Sequence, residues 1–275
     1  MTAIEKYLSA VQKNEASDLH MSTGSPAILR VHGTMSPLKS HEFEADEIRN
    51  MLYEIMTDPA RKSFDETGDA DWAYEFQGIA RFRCNAFMDR KGPGAVFRII
   101  PNDFMTAEDL NLPQCLLDLC TLPKGLVLVT GPTGSGKSTT LTAMIDFINQ
   151  NRKDHVITIE DPIEFVHENK KCLINQREVH SHTESFSRAL RAALREDPDI
   201  VLVGEMRDLE TTHIAIETAE TGHLVFGTLH TTTASSTGDR VIDQFPADRQ
   251  AQIRTMLAAS LKGVVAQTLC KKVPK

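Results

Sequence analysis

Apolar positions set two different rhythms along the chain. Near the start, Ile4, Leu8 and Val11 recur at helical spacing and predict one short amphipathic helix. Residues 27–31 read as a strand with His32–Gly33 as its turn, and a second helix is expected over 46–56, stopped before Pro59. Residues 70–76 and 79–90 have strand character. Gly92-Pro93-Gly94 reads as a tight turn, and 95–100 as the strand that returns. Residues 1–100 are therefore expected to form a small α+β domain ending in a hairpin. Residues 101–113 mix polar side chains with two prolines and keep no period, so they read as a linker.

From 114 to 275 the rhythm changes to apolar strands alternating with helices, the pattern of a parallel sheet covered on both faces. The expected strands are 125–130, 155–160, 200–204 and 224–229, and the fold class is α/β. A length of 275 residues also suits two domains, at roughly 150 residues each.

Composition narrows the partners. A net charge of −8 repels phosphodiester backbones, so nucleic acid is not expected as the main partner. The cysteines are Cys84, Cys115, Cys120, Cys172 and Cys270; their odd number and lack of a CxxC pair argue for reduced, mostly buried thiols of a cytosolic protein. Glu5 and Lys6 interrupt the apolar run that a signal peptide needs, and no stretch nears the roughly 18 apolar residues that span a bilayer. Any membrane role is then expected to come through a protein partner.

The chemistry starts at Gly131-Pro132-Thr133-Gly134-Ser135-Gly136-Lys137-Ser138, which fits G-x-x-x-x-G-K-[ST] between an apolar strand and a helix over 138–149. Glycines let the backbone wrap closely and aim N–H groups at the β-phosphate of a nucleotide, and the helix start adds a favourable dipole. Lys137 supplies a point charge to the β- and γ-phosphates, and the Ser138 hydroxyl suits magnesium. The expected nucleotide contacts are Gly131, Thr133, Gly134, Ser135, Gly136, Lys137, Ser138 and Thr139, with ATP and Mg2+ as the ligands. Hydrolysis further needs a carboxylate. Strand 200–204 delivers Glu205, expected beside the P-loop strand and holding magnesium through water. Glu160, Asp161 and Glu164 gather at the end of another strand, and one of them could serve as general base. Residue type alone does not choose among them, and a solvated acidic loop accounts for them equally well. His230 closes strand 224–229 on the C-terminal rim, where a γ-phosphate sensor would sit, whereas His223 lies at the opposite end.

The segments GPTGSGKSTT, ITIEDPIEFVH, DIVLVGEMRDLET and ETGHLVFGTLHT resemble, in order and spacing, the Walker A, Asp box, Walker B and His box of secretion and pilus ATPases. Ser17-Asp18-Leu19-His20 and the Arg81-Phe82-Arg83 strand are similar to that family's N-terminal domain. EMRDLET, FGTLHT and DRVIDQFP resemble its PilT-like retraction class, as do the short N-terminal region and the lack of a four-cysteine zinc motif. The resemblance implies a RecA-like P-loop domain behind a PAS-like N-terminal domain, assembled as a homohexamer. It also implies a place in the cytoplasm, peripheral to the inner membrane through a pilus platform protein, with other pilus ATPases as further partners. It gives the general base to Glu164, and to Arg81, Arg83 and Arg98 the role of arginines reaching nucleotide across a subunit junction; Arg81 and Arg83, two apart on a strand, share a face. It implies helices beyond Lys275, including a motif linked to retraction. The competing readings are a pilus-assembly or type II secretion ATPase, a nucleotide-binding regulator with negligible turnover, and a P-loop kinase. Roles for Asp161, His223 and Arg207 are left open.

Overall fold

The computed structural model describes residues 2–100 and 105–270. Residues 101–104 of the expected linker and the last five residues lie outside the described residues. Contacts divide the chain into two compact units, Met1–Asn102 and Asp103–Lys275.

In the first unit the order is α1 (Glu5–Lys13), β1 (Ala16–Ser22), β2 (Ile28–Val31), β3 (Thr34–Pro37), α2 (Ala45–Tyr53), α3 (Asp58–Thr67), β4 (Asp69–Phe76), β5 (Ala80–Asp89) and β6 (Gly92–Ile100). The strands form one antiparallel sheet ordered β3-β2-β1-β6-β5-β4. Strict alternation splits it. Phe82, Cys84 and Ala86 of β5 join Phe97, Leu19 and Trp72 in a core that also takes Leu8 and Val11 of α1, Leu52 of α2 and Phe64 of α3. Arg81, Arg83 and Asn85 point the other way.

Two expectations are corrected here. The helix expected over 46–56 ends at Tyr53, and Pro59, read as its stop, sits in the first turn of α3 instead. A proline there forfeits only an N–H that has no partner in the helix anyway, and the Thr57 hydroxyl accepts from the amide of Ala60 as the N-cap. The hairpin turn is Arg90-Lys91, where Asp89 Oδ1 accepts from the amides of Lys91 at 2.7 Å and Gly92 at 3.1 Å. Gly92-Pro93-Gly94 opens β6, with Met88 paired to Pro93 and Phe87 to Gly94. Proline is tolerated at the start of a strand, which is why this punctuation misleads.

The second unit runs α4 (Gln114–Cys120), β7 (Gly125–Thr130), α5 (Lys137–Asn151), β8 (His155–Glu160), β9 (Leu173–Glu178), α6 (Phe186–Ala193) and β10 (Ile200–Val203). It continues through α7 (Leu209–Glu220), β11 (Leu224–Leu229), α8 (Ala234–Asp243), α9 (Ala247–Ser260) and β12 (Leu261–Ala266). Every strand pair in this sheet is parallel, in the order β12-β7-β11-β10-β8-β9. Leu126 and Leu128 face one core with residues of α6, α7 and α9, while Val127 and Val129 face a second core with residues of α4 and α5. The near-continuous apolar runs of β7, β10 and β11 follow from burial on both faces.

Because the strands run parallel, β7, β8, β10 and β11 all end on one rim. The connection from β8 to β9 is a strap, residues 161–172, which crosses from that rim to the start of β9 with no helix among the described residues. Among the described residues no helix is long and apolar enough to cross a membrane. All five cysteines are free, with Cys84, Cys120 and Cys172 buried.

Candidate functional site

The loop 131–136 leaves β7 and turns into α5 on left-handed glycines. Gly131, Gly134 and Gly136 have φ of 149°, 77° and 88°. A Cβ on Gly131 would come within 2.4 Å of the Gln267 carbonyl and 2.5 Å of Ser135 Oγ, whereas Gly134 and Gly136 face open space. The loop is thus tight on its inner side and hollow on its outer side. Gly136 is the N-cap of α5 and makes no side-chain cap, so the first amides of a 15-residue helix remain available to an anion. Ser135 Oγ and Thr130 Oγ1 are buried without a hydrogen-bond partner. A polyphosphate fits these features: a hollow, uncapped amides and an orphaned buried hydroxyl. Ser138 and Thr139 lie in the first turn of α5, and Thr133 is exposed on the loop.

Lys137 Nζ folds back and donates to the carbonyls of Gly131 at 2.9 Å and Pro132 at 3.2 Å. Burial pulls its pKa down, and the charges of Glu205 and Glu164 work against that shift. Both carboxylates therefore act electrostatically on the P-loop lysine.

Glu205 follows β10, but β10 is not beside the P-loop strand as expected; β11 lies between them. A parallel crossover can land on either side of its partner, and strand sequence alone does not choose. The inserted strand brings His230, whose Nε2 lies 2.8 Å from Glu205 Oε1. Arg207 Nε reaches the same oxygen at 2.6 Å. Burial alone would raise the Glu205 pKa, but the hydrogen bond and charge of Arg207, with His230 behind them, hold it below the usual carboxylate range. Gly204 stands just before Glu205 at the end of β10. Its Cβ would lie 3.0 Å from the Ile159 carbonyl and 3.2 Å from the Glu160 Cα. Contact with β8 leaves little room for a side chain there.

The acids at the end of β8 and in the strap differ in setting. Glu160 Oε1 accepts from Thr158 Oγ1 at 2.6 Å and Gln176 Nε2 at 3.1 Å, and burial raises its pKa. Asp161 and Glu164 are exposed, the latter free to meet water. At the far end of β11, His223 Nδ1 lies 3.1 Å from the Thr218 carbonyl, away from the rim.

Arg81, Arg83 and Arg98 stand in the first unit on the outward face of its sheet. Arg83 is directly opposite Arg98, and Arg98 Nε bonds Asp18 Oδ1 at 2.8 Å. Arg30 approaches the other oxygen of Asp18 at 3.8 Å. Desolvation would raise the Asp18 pKa, but the hydrogen bond from the Ser17 hydroxyl at 2.8 Å, followed by the hydrogen bond and charge of Arg98, brings it below the usual value.

Sequence patterns gave no hint of Gln267. Its amide N–H donates to the Thr130 carbonyl at 2.8 Å and its Nε2 to Thr140 Oγ1 at 2.8 Å, bracing both ends of the P-loop from the residue after β12. Nor did they single out Gln176, Glu178 and Asn149, whose side chains pin the strap. Asn149 Nδ2 donates to the Glu168 carbonyl at 2.7 Å, and its Oδ1 accepts from the amides of Lys170 and Cys172 at 3.0 and 3.3 Å. Such residues are visible only once the strap is folded.

Comparison with known proteins supplies the family. A family model described as "Type II/IV secretion system protein" matches residues 1–275. The chain is 55% identical over 270 residues to the "Type IV pilus retractation ATPase PilT" of Pseudomonas aeruginosa, covering 98% of this chain and 78% of that protein. It is 53% identical over 244 residues to the "Twitching motility protein" of Neisseria gonorrhoeae, covering 89% of this chain and 65% of that protein. Among solved structures, the pilus retraction motor PilT with bound ADP superimposes with a TM-score of 0.91 at 46% identity, covering 96% of this chain and 77% of that one.

Proposed function

The chain belongs to the Type II/IV secretion system protein family, and on that premise we propose that it powers retraction of a type IV pilus by magnesium-dependent hydrolysis of ATP. It is an ATPase that resembles the PilT members of the family. The carrying observation is the rim itself, where an uncapped, glycine-walled loop, its lysine and two carboxylates acting on that lysine meet at the ends of parallel strands. Neither an assembly nor a secretion ATPase is favoured by any contact of this rim, whereas the names of the relatives favour retraction.

On this reading the amides of 131–137 and the Lys137 ammonium cradle the phosphates. Magnesium held by the Ser138 hydroxyl and, through water, by Glu205 would neutralise charge that builds on the phosphates in the transition state. Glu164, exposed and close enough to Lys137 to influence it, orients the attacking water and takes its proton. His230 and Arg207 hold Glu205 ionised from one side. Arg81, Arg83 and Arg98 offer guanidiniums for the nucleotide of a neighbouring subunit in a homohexamer. The motor then works in the cytoplasm, tied to the inner membrane through a platform protein.

The test is ATP turnover and ATP binding by the purified chain, with magnesium and with a chelator, beside Lys137→Ala. Turnover that needs magnesium, and loss of both binding and turnover in the variant, are expected. ATP affinity unchanged in Lys137→Ala would remove the P-loop from the mechanism.

A further inference from the structure

The strap 161–172 carries Glu164 across the sheet without a helix, so its backbone polar groups must find partners elsewhere. Alternate residues find them in side chains of β9. The Ile163 amide donates to Glu178 Oε2 at 3.0 Å. Gln176 Nε2 donates to the Phe165 carbonyl at 2.8 Å, and Gln176 Oε1 accepts from the His167 amide at 2.7 Å. Gln176 Nε2 also reaches Glu160 Oε1 at 3.1 Å. Gln176 and Glu178 are two apart on a strand and so present one face to the strap. A side-chain ladder thus stands in for a backbone ladder and brackets Glu164 on both sides, at 163 and at 165. Glu160 adds to the bracket, since the backbone of Glu164 stabilises its carboxylate.

We propose that Gln176 is a positioning residue for Glu164, an inference that rests on Glu164 being the general base. The amide is suited to this because one side chain must both donate and accept. Both of its N–H groups are engaged, one by a carbonyl of the strap and one by the carboxyl of Glu160, and its oxygen takes an amide two residues on. A carboxylate at this position would lose both donors and face Glu160 with like charge. A hydrocarbon would give up the hydrogen bonds to both the Phe165 carbonyl and the His167 amide. Either change loosens the backbone that aims Glu164 without touching the phosphate cradle. An ångström of misplacement at a reacting group costs up to about 100-fold in rate.

The experiment measures steady-state and single-turnover ATP hydrolysis by the full chain, with thermal unfolding alongside. The variants are Gln176→Glu, Gln176→Leu and Glu164→Gln, and the first two are repeated in the Glu164→Gln background. Both Gln176 variants should lose about 10- to 100-fold in kcat with KM for ATP unchanged, and neither should lose more once Glu164 is already glutamine. If Gln176→Leu fails to fold, the near-isosteric Gln176→Glu decides. A folded Gln176 variant with full kcat overturns the proposal, and so does an equal loss in both backgrounds, which marks a merely structural role. Should Glu164→Gln itself keep its rate, it is the base assignment that fails, and the double variants locate the error there.

Discussion

Glu205 shows how far residue type carries and where it stops. The sequence marks an acid at the end of an apolar strand, offers His230 as a γ-phosphate sensor and leaves the role of Arg207 open. Folding gives them one: both reach the same oxygen, Oε1, at 2.6 and 2.8 Å. Burial raises the Glu205 pKa, and it is Arg207 first and His230 next that bring it below the usual range. Removing Arg207 leaves burial less opposed, so the carboxyl should protonate at higher pH. In Arg207→Ala the acid limb of the kcat/KM profile should therefore move to higher pH, with Arg207→Lys moving it less; an unmoved limb would detach Arg207 from Glu205. Glu164 calls for a different measurement. Glu164→Gln should keep ATP binding and slow turnover by about two to four orders of magnitude, the range general-base catalysis supplies. Family resemblance chose Glu164 from three acids, and the structure adds that Glu160 is engaged by Thr158 and Gln176 while Glu164 is exposed.

At the scale of elements, the strap carries one group that makes stability respond to acid. Burial pushes the His167 pKa down to about 4, with Asp146 pulling the other way and Lys170 adding to the shift. Asp146, almost wholly buried in α5, is paired to Lys170 Nζ at 2.6 Å, so the strap meets the P-loop helix through a charged contact. In the unfolded chain His167 titrates near 6.5. Between that value and about 4 the unfolded state binds the extra proton, so stability is complete above pH 6.5 and falls as the pH drops through this window. The loss is at most on the order of 3 kcal/mol, because each pH step between the two values is worth about 1.4 kcal/mol. Urea midpoints between pH 7 and 4 should decline less steeply in His167→Gln than in the unaltered chain; parallel declines would mean that other groups govern the acid sensitivity. In the sheet of the second unit, the strands hardest to see in the sequence were those at its edges, β9 and β12. Buried β7, β10 and β11 announce themselves as unbroken apolar runs, whereas β9 reads Leu-Ile-Asn-Gln-Arg-Glu and β12 starts directly where α9 ends. Edge strands share only one ladder and keep polar residues, so period and composition both weaken there. The N-terminal unit misled through its prolines, which open α3 and β6 where they seemed to close a helix and make a turn.

For the whole molecule, the proposed reaction draws on residues of both units. The P-loop, Glu164, Glu205 and His230 belong to the second unit, and the three arginines to the first. Arg98 is held by Asp18, an acid that serves the sheet, whereas Arg83 is exposed on the same face. If those guanidiniums act across a subunit junction, hydrolysis depends on assembly and on which chains are mixed. The rate per chain should climb steeply with protein concentration as hexamers appear by native mass. Lys137→Ala, which lacks the cradle, and an Arg81→Ala/Arg83→Ala double variant, which lacks the guanidiniums, should each be inactive alone. Mixed, they should regain turnover, because rings then contain junctions with an intact cradle on one side and intact arginines on the other. A flat rate from monomers would put the whole site within one chain. Mixed rings that stay inactive, with mass confirming that they form, would confine the arginines to their own subunit and leave ring motion to be driven by contacts other than these.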